Sequence, residues 1–253
     1  MATGPPASMP LVRPPGPPVP PRPDGPGRWP FADWGLDELL PMLMVPFGIV
    51  LLAQYLVVGF LGWETDGARV VISAIEQLSL FVPVVVWVRR TRGSIAPLGL
   101  RRGGWSAGDV FAGVGAGFGV LVAGVIAIAL TLVVVEAITG HRPDVSGGID
   151  SVHGPWLVLE ALMAVLVAPV CEETFFRGFL FQGLRIRFRF LPAALISGAF
   201  FAFVHVEPIR FFGLATMGTL LAGVFERRRT LVSSMAAHAT INLIAVIGIF
   251  ATR

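Results

Sequence analysis

The 253-residue chain has no lysine, one cysteine and one tyrosine, and only 14% of its residues are charged. With Cys171 alone, an internal disulfide framework is excluded. Soluble domains carry roughly 25% charged residues. The low charge here, with 55% apolar residues and a mean hydropathy of +0.77, excludes a soluble enzyme and a disordered regulator alike. Because lysine is missing, arginine supplies all 19 basic charges. A net charge of +3 would suit a nucleic acid, but the arginines fall between long apolar runs. That is the pattern of membrane edges, so the expected partner is the lipid bilayer and no nucleic acid.

What is present is a set of seven apolar runs near the ~20 residues that a spanning helix needs. They are 39–61, 70–88, 110–138, 156–180, 192–206, 211–225 and 231–250. The fold expected is an all-α, polytopic transmembrane helix bundle of about seven spans. The fifth and sixth runs are short, so these helices must tilt, sit half-buried or be extended by polar flanks. Before the first run, Met1 to Pro30 holds 12 of the 21 prolines and no apolar stretch. Such a segment cannot bury enough surface to order itself, and with no apolar stretch after Arg13 it is not a signal peptide. The organisation expected is a disordered proline-rich tail over 1–35, transmembrane helices over 36–140 and a C-terminal transmembrane unit over 155–253.

Arginine placement gives the orientation. With the N-terminus inside, inner segments hold 14 arginines, in clusters that include Arg89–Arg92, Arg185–Arg189 and Arg227–Arg229. Outer segments hold four, Arg69, Arg142, Arg210 and Arg253, and Arg177 lies within a span. The bias toward the inside predicts a multi-pass protein of the cell membrane with a cytoplasmic N-terminus.

Ionisable groups inside spans cost at least a few kcal/mol and are functional candidates by default. The fourth run carries Glu172, Glu173 and Arg177, the fifth Phe201 and His205, the seventh His238 and Asn242. Glu173 and Arg177 are four apart and share a helix face, where each neutralises the other. Glu172, five from Arg177, points elsewhere and needs another partner, for which a histidine of a neighbouring helix is suited. His238 and Asn242 again share one face. At 1.5 Å per residue, Glu172, His205 and Asn242 lie about 18–20 Å, and His238 about 12 Å, from the cytoplasmic ends of their helices. Three helices therefore bring polar groups to similar depth. Cys171 is read as a packing residue, His141 and His153 as solvated loop residues, and Glu76 as hydrogen-bonded to another helix. Gly178, Gly183 and Gly198 should allow close helix approach.

Glu-Glu-x-x-x-Arg at 172–177, Phe-x-x-x-His at 201–205 and His-x-x-x-Asn at 238–242, in this order, resemble the CPBP intramembrane proteases. That family includes Rce1-type CAAX prenyl endopeptidases and bacterial relatives linked to bacteriocin immunity. The resemblance covers about Trp156 to Phe250, and it casts 155–253 as the protease core. It implies an endopeptidase for a membrane-associated peptide or protein, with Glu172 as general base and His205 holding and polarising the attacking water. His238 and Asn242 would stabilise the oxyanion or complete the water site, and Glu173 and Arg177 would support it. Amide hydrolysis needs such an activated water, a proton carrier and oxyanion donors.

Glu172, His205 and His238 would also serve as zinc ligands. The usual His-Glu-x-x-His arrangement is missing, however, and Asn242 suits an oxyanion better than zinc. The expectation is a site without an obligatory metal, zinc on those three residues being the alternative. Two other functions use similar residues, a proton-coupled transporter and a non-catalytic immunity or adaptor protein. No internal repeat supports the first, and an intact motif set speaks against the second.

Overall fold

The structure, a computed structural model, describes residues 32–100, 105–143 and 152–252. The disorder expected of the N-terminal tail, the positions of Arg101 and Arg102, and most of the 143–151 loop lie outside the described residues. All seven apolar runs fold as helices, and no strand occurs among the described residues. They are α1 (Leu36–Phe60), α2 (Asp66–Arg92), α3 (Ala107–Thr139), α4 (Gly154–Arg185), α5 (Phe190–Val204), α6 (Phe211–Arg228) and α7 (Leu231–Ala251). By length and composition, α1, α2, α3, α4 and α7 are able to cross a membrane. The protein is therefore a multi-pass membrane helix bundle.

Local chemistry sets the helix ends. Thr65 caps α2 by accepting from Ala68 N–H at 3.2 Å, and Gly93, at φ 71°, closes it in the left-handed conformation. Ser106 and Asp109 form a reciprocal capping box at the start of α3.

α5 and α6 form a hairpin of 15 and 18 residues. They pack closely because Gly198 faces the Ala215 carbonyl and Thr219, where any Cβ would collide. The hairpin tip carries Glu207 paired with Arg210 at 3.3 Å.

The arginine clusters converge on one end of the bundle. Arg92, ending α2, pairs with Asp33 at 2.6 Å and with Glu38 of α1 at 3.1 Å. Arg185, ending α4, meets Glu226 of α6 at 3.0 Å, and Arg228 meets Asp109 of α3 at 3.0 Å. Beneath this end lies a core rich in buried aromatics, with Trp34 stacked on Phe179 at 5.2 Å between centroids. From this floor, α4 rises through the middle of the bundle.

Candidate active site

In α4 the turn Ala168–Glu173 is bracketed by two π-helical segments, Met163–Val167 and Thr174–Phe181. Wider i→i+5 turns leave room for side-chain donors at main-chain carbonyls, and they occur often at functional sites. Here the Ala164 carbonyl accepts from Asn242 Nδ2 at 2.7 Å. The Phe176 carbonyl accepts from Ser197 Oγ at 3.2 Å and the Phe179 carbonyl from Trp34 Nε1 at 3.0 Å. α7, α5 and the segment before α1 are thereby tied to the part of α4 that carries the acids.

Glu173 and Arg177 meet as their spacing predicts. Arg177 Nη1 donates to Glu173 Oε1 at 2.8 Å, and both side chains are fully buried. Arg177 Nη2 donates to the Gly218 carbonyl at 2.8 Å, and the guanidinium lies 4.8 Å from the Phe201 ring centroid. Glu173 Oε1 also lies 3.0 Å from His238 Nδ1. A carboxylate only accepts, so Nδ1 carries the hydrogen and the neutral ring keeps its lone pair on Nε2.

Glu172 points to the other side, toward α2. Its Oε1 accepts from Gln77 Nε2 at 3.1 Å. Its Oε2 is buried without a hydrogen-bond partner and lies 3.8 Å from His238 Nε2, too far for a direct bond. His205 sits just past the end of α5, with Nδ1 2.6 Å from the Phe201 carbonyl. The carbonyl accepts, so this ring also keeps Nε2 available in its neutral form. The next residue, Val206, holds φ 53°, a costly conformation for a β-branched side chain.

Glu172, His205, His238 and Asn242 line one cavity of about 80 Å³. Glu172, His205 and Asn242 also line a cleft of about 300 Å³, where Ser73, Glu76, Gln77 and Glu160 join them. Glu76 further lines an apolar groove of about 610 Å³ between α1, α2 and the α5–α6 hairpin. Among the described residues, the hydrogen bond expected from the Glu76 carboxylate to another helix is not found; Glu76 lines the cleft and the groove instead. Cys171 is buried and lines neither the small cavity nor the cleft, while His141 is exposed, as its loop position predicts.

One residue at the site escaped the sequence reading, and a second was part of a motif without a role of its own. Gln77 is uncharged and meets its partner 95 positions away, although a glutamine inside an apolar run was a usable signal. Phe201 is the hub of the site: its ring lies 4.8 Å from His205 and 5.7 Å from His238, besides facing Arg177. Among the described residues, no three His, Cys, Asp or Glu side chains converge as metal ligands. Glu172, His205 and His238 as placed do not form a zinc ligand set, so the chemistry below is derived from the side chains alone.

Residues 154–244 match the family described as Type II CAAX prenyl endopeptidase Rce1-like. No curated protein and no solved structure gives a significant match to the chain. The matched segment runs from α4 into α7 and contains Glu172, Glu173, Arg177, His205, His238 and Asn242; Glu76 and Gln77 lie outside it.

Proposed function

We propose that the chain is an intramembrane endopeptidase, because residues 154–244 match the family described as Type II CAAX prenyl endopeptidase Rce1-like. It cleaves a membrane-associated peptide or protein with a water activated at Glu172 and His205. The gap between Glu172 Oε2 and His238 Nε2 carries this assignment. At 3.8 Å, two groups that both hold lone pairs are spaced for a water bonded to each, beside a cavity that could admit an amide.

In the reaction, Glu172 takes one proton from the water while its oxygen attacks the amide carbon. The carbonyl electron pair moves to oxygen, where Asn242 offers the Nδ2 hydrogen that is not engaged by Ala164. A water carries two hydrogens, so with one on Glu172 the other goes to one imidazole at a time, His238 Nε2 or His205 Nε2, both of which border the same cavity. His238 completes the water site, and Glu173 keeps its ring in the tautomer that faces Glu172. Collapse of the tetrahedral adduct expels the amine, which takes the proton back from Glu172. Arg177 balances Glu173 and stays out of the proton path.

Glu172→Gln removes the base and keeps the shape. Expected is a loss of hydrolysis of at least about 10²-fold with normal yield of folded protein. It is measured on purified protein and by comparing membrane peptides from cells with and without the variant; undiminished cleavage by Glu172→Gln would refute the assignment. Metal analysis of the same preparations should show activity that survives a strong chelator. Stoichiometric zinc whose removal abolishes cleavage would instead make Glu172, His205 and His238 ligands. We also place the N-terminus in the cytoplasm of a cell membrane. A reporter after Arg187 should read cytoplasmic and one within 143–151 external, and the opposite pair would reverse the orientation.

A further inference from the structure

The cleft beside the site is rich in acceptors and poor in donors. Three carboxylates line it, Glu76, Glu160 and Glu172, with the Gln77 amide. Besides Glu172 Oε2, which the reaction assigns to the water, two buried oxygens of these side chains, Gln77 Oε1 and Glu160 Oε2, have no hydrogen-bond partner among the described residues. Gln77 and Glu172 are themselves more than nine-tenths buried, with 8% and 7% exposure. The donors nearby are partly engaged, with one amide hydrogen each left on Gln77 and Asn242. Ser73 Oγ gives its hydrogen to Glu160 Oε1 at 2.8 Å, Gln77 Nε2 to Glu172, and Asn242 Nδ2 to the Ala164 carbonyl. Among the described residues, no arginine lines the cleft. Buried acceptors are ordinarily satisfied, so a cluster of unsatisfied ones calls for a ligand that brings several donors and positive charge.

From this we infer that the cleft is a specificity subsite for a guanidinium or ammonium side chain of the substrate, held by Glu76 and Glu160. The inference deepens the peptidase reading and rests on it for the identity of the ligand as a peptide. A cleft of about 300 Å³ has room for an arginine side chain. Glu76 links it to the groove of about 610 Å³, lined by residues such as Leu43, Phe47, Phe175 and Phe203. A substrate with a basic residue next to apolar ones would fill both spaces at once. Glu76 then selects the cation and Glu172, on the next helix, meets the adjacent amide.

The test reads binding, so that it stands apart from turnover. A single arginine is walked through an otherwise apolar, end-blocked dodecapeptide, with norleucine at the same position as the control. Blocked ends remove the terminal amine as a source of charge. The full chain in lipid nanodiscs should bind at least one arginine peptide about tenfold more tightly than its norleucine twin, as expected for charge-assisted hydrogen bonds. Glu76→Gln and Glu160→Gln should each bring that ratio toward one. A wild-type ratio near one at every position would overturn the subsite, as would a preference that both variants keep. Loss of hydrolysis by Glu172→Gln is read separately, so a true peptidase lacking this preference is distinguishable from a chain that binds cationic peptides without cleaving them.

Discussion

The two adjacent glutamates of α4 live in opposite surroundings. Glu173 faces a guanidinium 2.8 Å away and a histidine 3.0 Å away, and nothing of it is exposed. Glu172 faces an amide donor and a histidine beyond bonding distance, and it borders open space on two sides. Each keeps one buried oxygen without a hydrogen-bond partner among the described residues, but Glu173 is paired with a guanidinium inside the scaffold, whereas Glu172 is held by a neutral amide and borders cavities. Burial of a charge is tolerable only where a partner offsets the lost hydration. The proposed division into a supporting acid and a reactive one rests on this contrast of neighbours, since both have the same chemistry and similar depth.

Breaking the supporting side should have the largest effect. Arg177→Ala strands Glu173 in a fully buried place, at a cost of about 3–5 kcal/mol, and should lower the yield and unfolding midpoint of the detergent-solubilised protein. The double variant Glu173→Gln with Arg177→Met should cost less than the sum of the single changes, because no lone charge remains. Equal loss of folded protein for Glu172→Gln and Glu173→Gln would erase the distinction between the two acids.

A smaller effect is expected on the reactive side. Gln77→Leu removes the donor to Glu172 Oε1, a hydrogen bond to a charged group worth about 1.5–3 kcal/mol. The expected outcome is a fall in kcat of about tenfold or more with little change in KM. Gln77→Asn should restore less than half of it, since the shorter side chain falls short of the carboxylate. A Gln77→Leu protein with full kcat would mean that α2 does not hold the base. The smallest effect belongs to the arginine-rich end. Arg228→Ala removes the arginine partner of Asp109, which is 2% exposed but still accepts from Ser106 N–H and Oγ, so a loss of about 1–2 kcal/mol, below that of Arg177→Ala, is expected in the same unfolding measurement.

Much of this arrangement was legible in the residues. Hydropathy located all seven helices, and the four-residue step from Glu173 to Arg177 placed that pair on one face, as found. The five-residue step placed Glu172 on another side of the helix, but its direct partner is Gln77, and a histidine, His238, lies 3.8 Å away, beyond a direct bond. The glycines at 178, 183 and 198 do sit at close approaches, Gly178 against the Leu98 carbonyl and Gly183 against Leu39. Illegible were features that depend on register. The π-helical turns around Ala168–Glu173 add no change in hydropathy, so the pattern of apolar residues reads the same with or without them. Gln77 carries no charge and has no partner on its own helix. The lining of cavities by Glu76 arises from how α1, α2 and the hairpin meet, which no single segment encodes.

The hairpin has a bearing on how a reaction that consumes water proceeds inside lipid. At 1.5 Å per residue, the 15 residues of α5 rise about 22 Å, against a hydrocarbon core of about 30 Å. If α5 starts at one face of the core, its tip, with Glu207 and Arg210, would stop short of the other and leave a thin column of bilayer above His205. Lipid thins around such a mismatch, and the ion pair at the tip attracts hydration. The reactant that every turnover uses up would then reach the catalytic residues down a dimple over the short helices, while the apolar groove on the flank of the same hairpin stays open to the membrane.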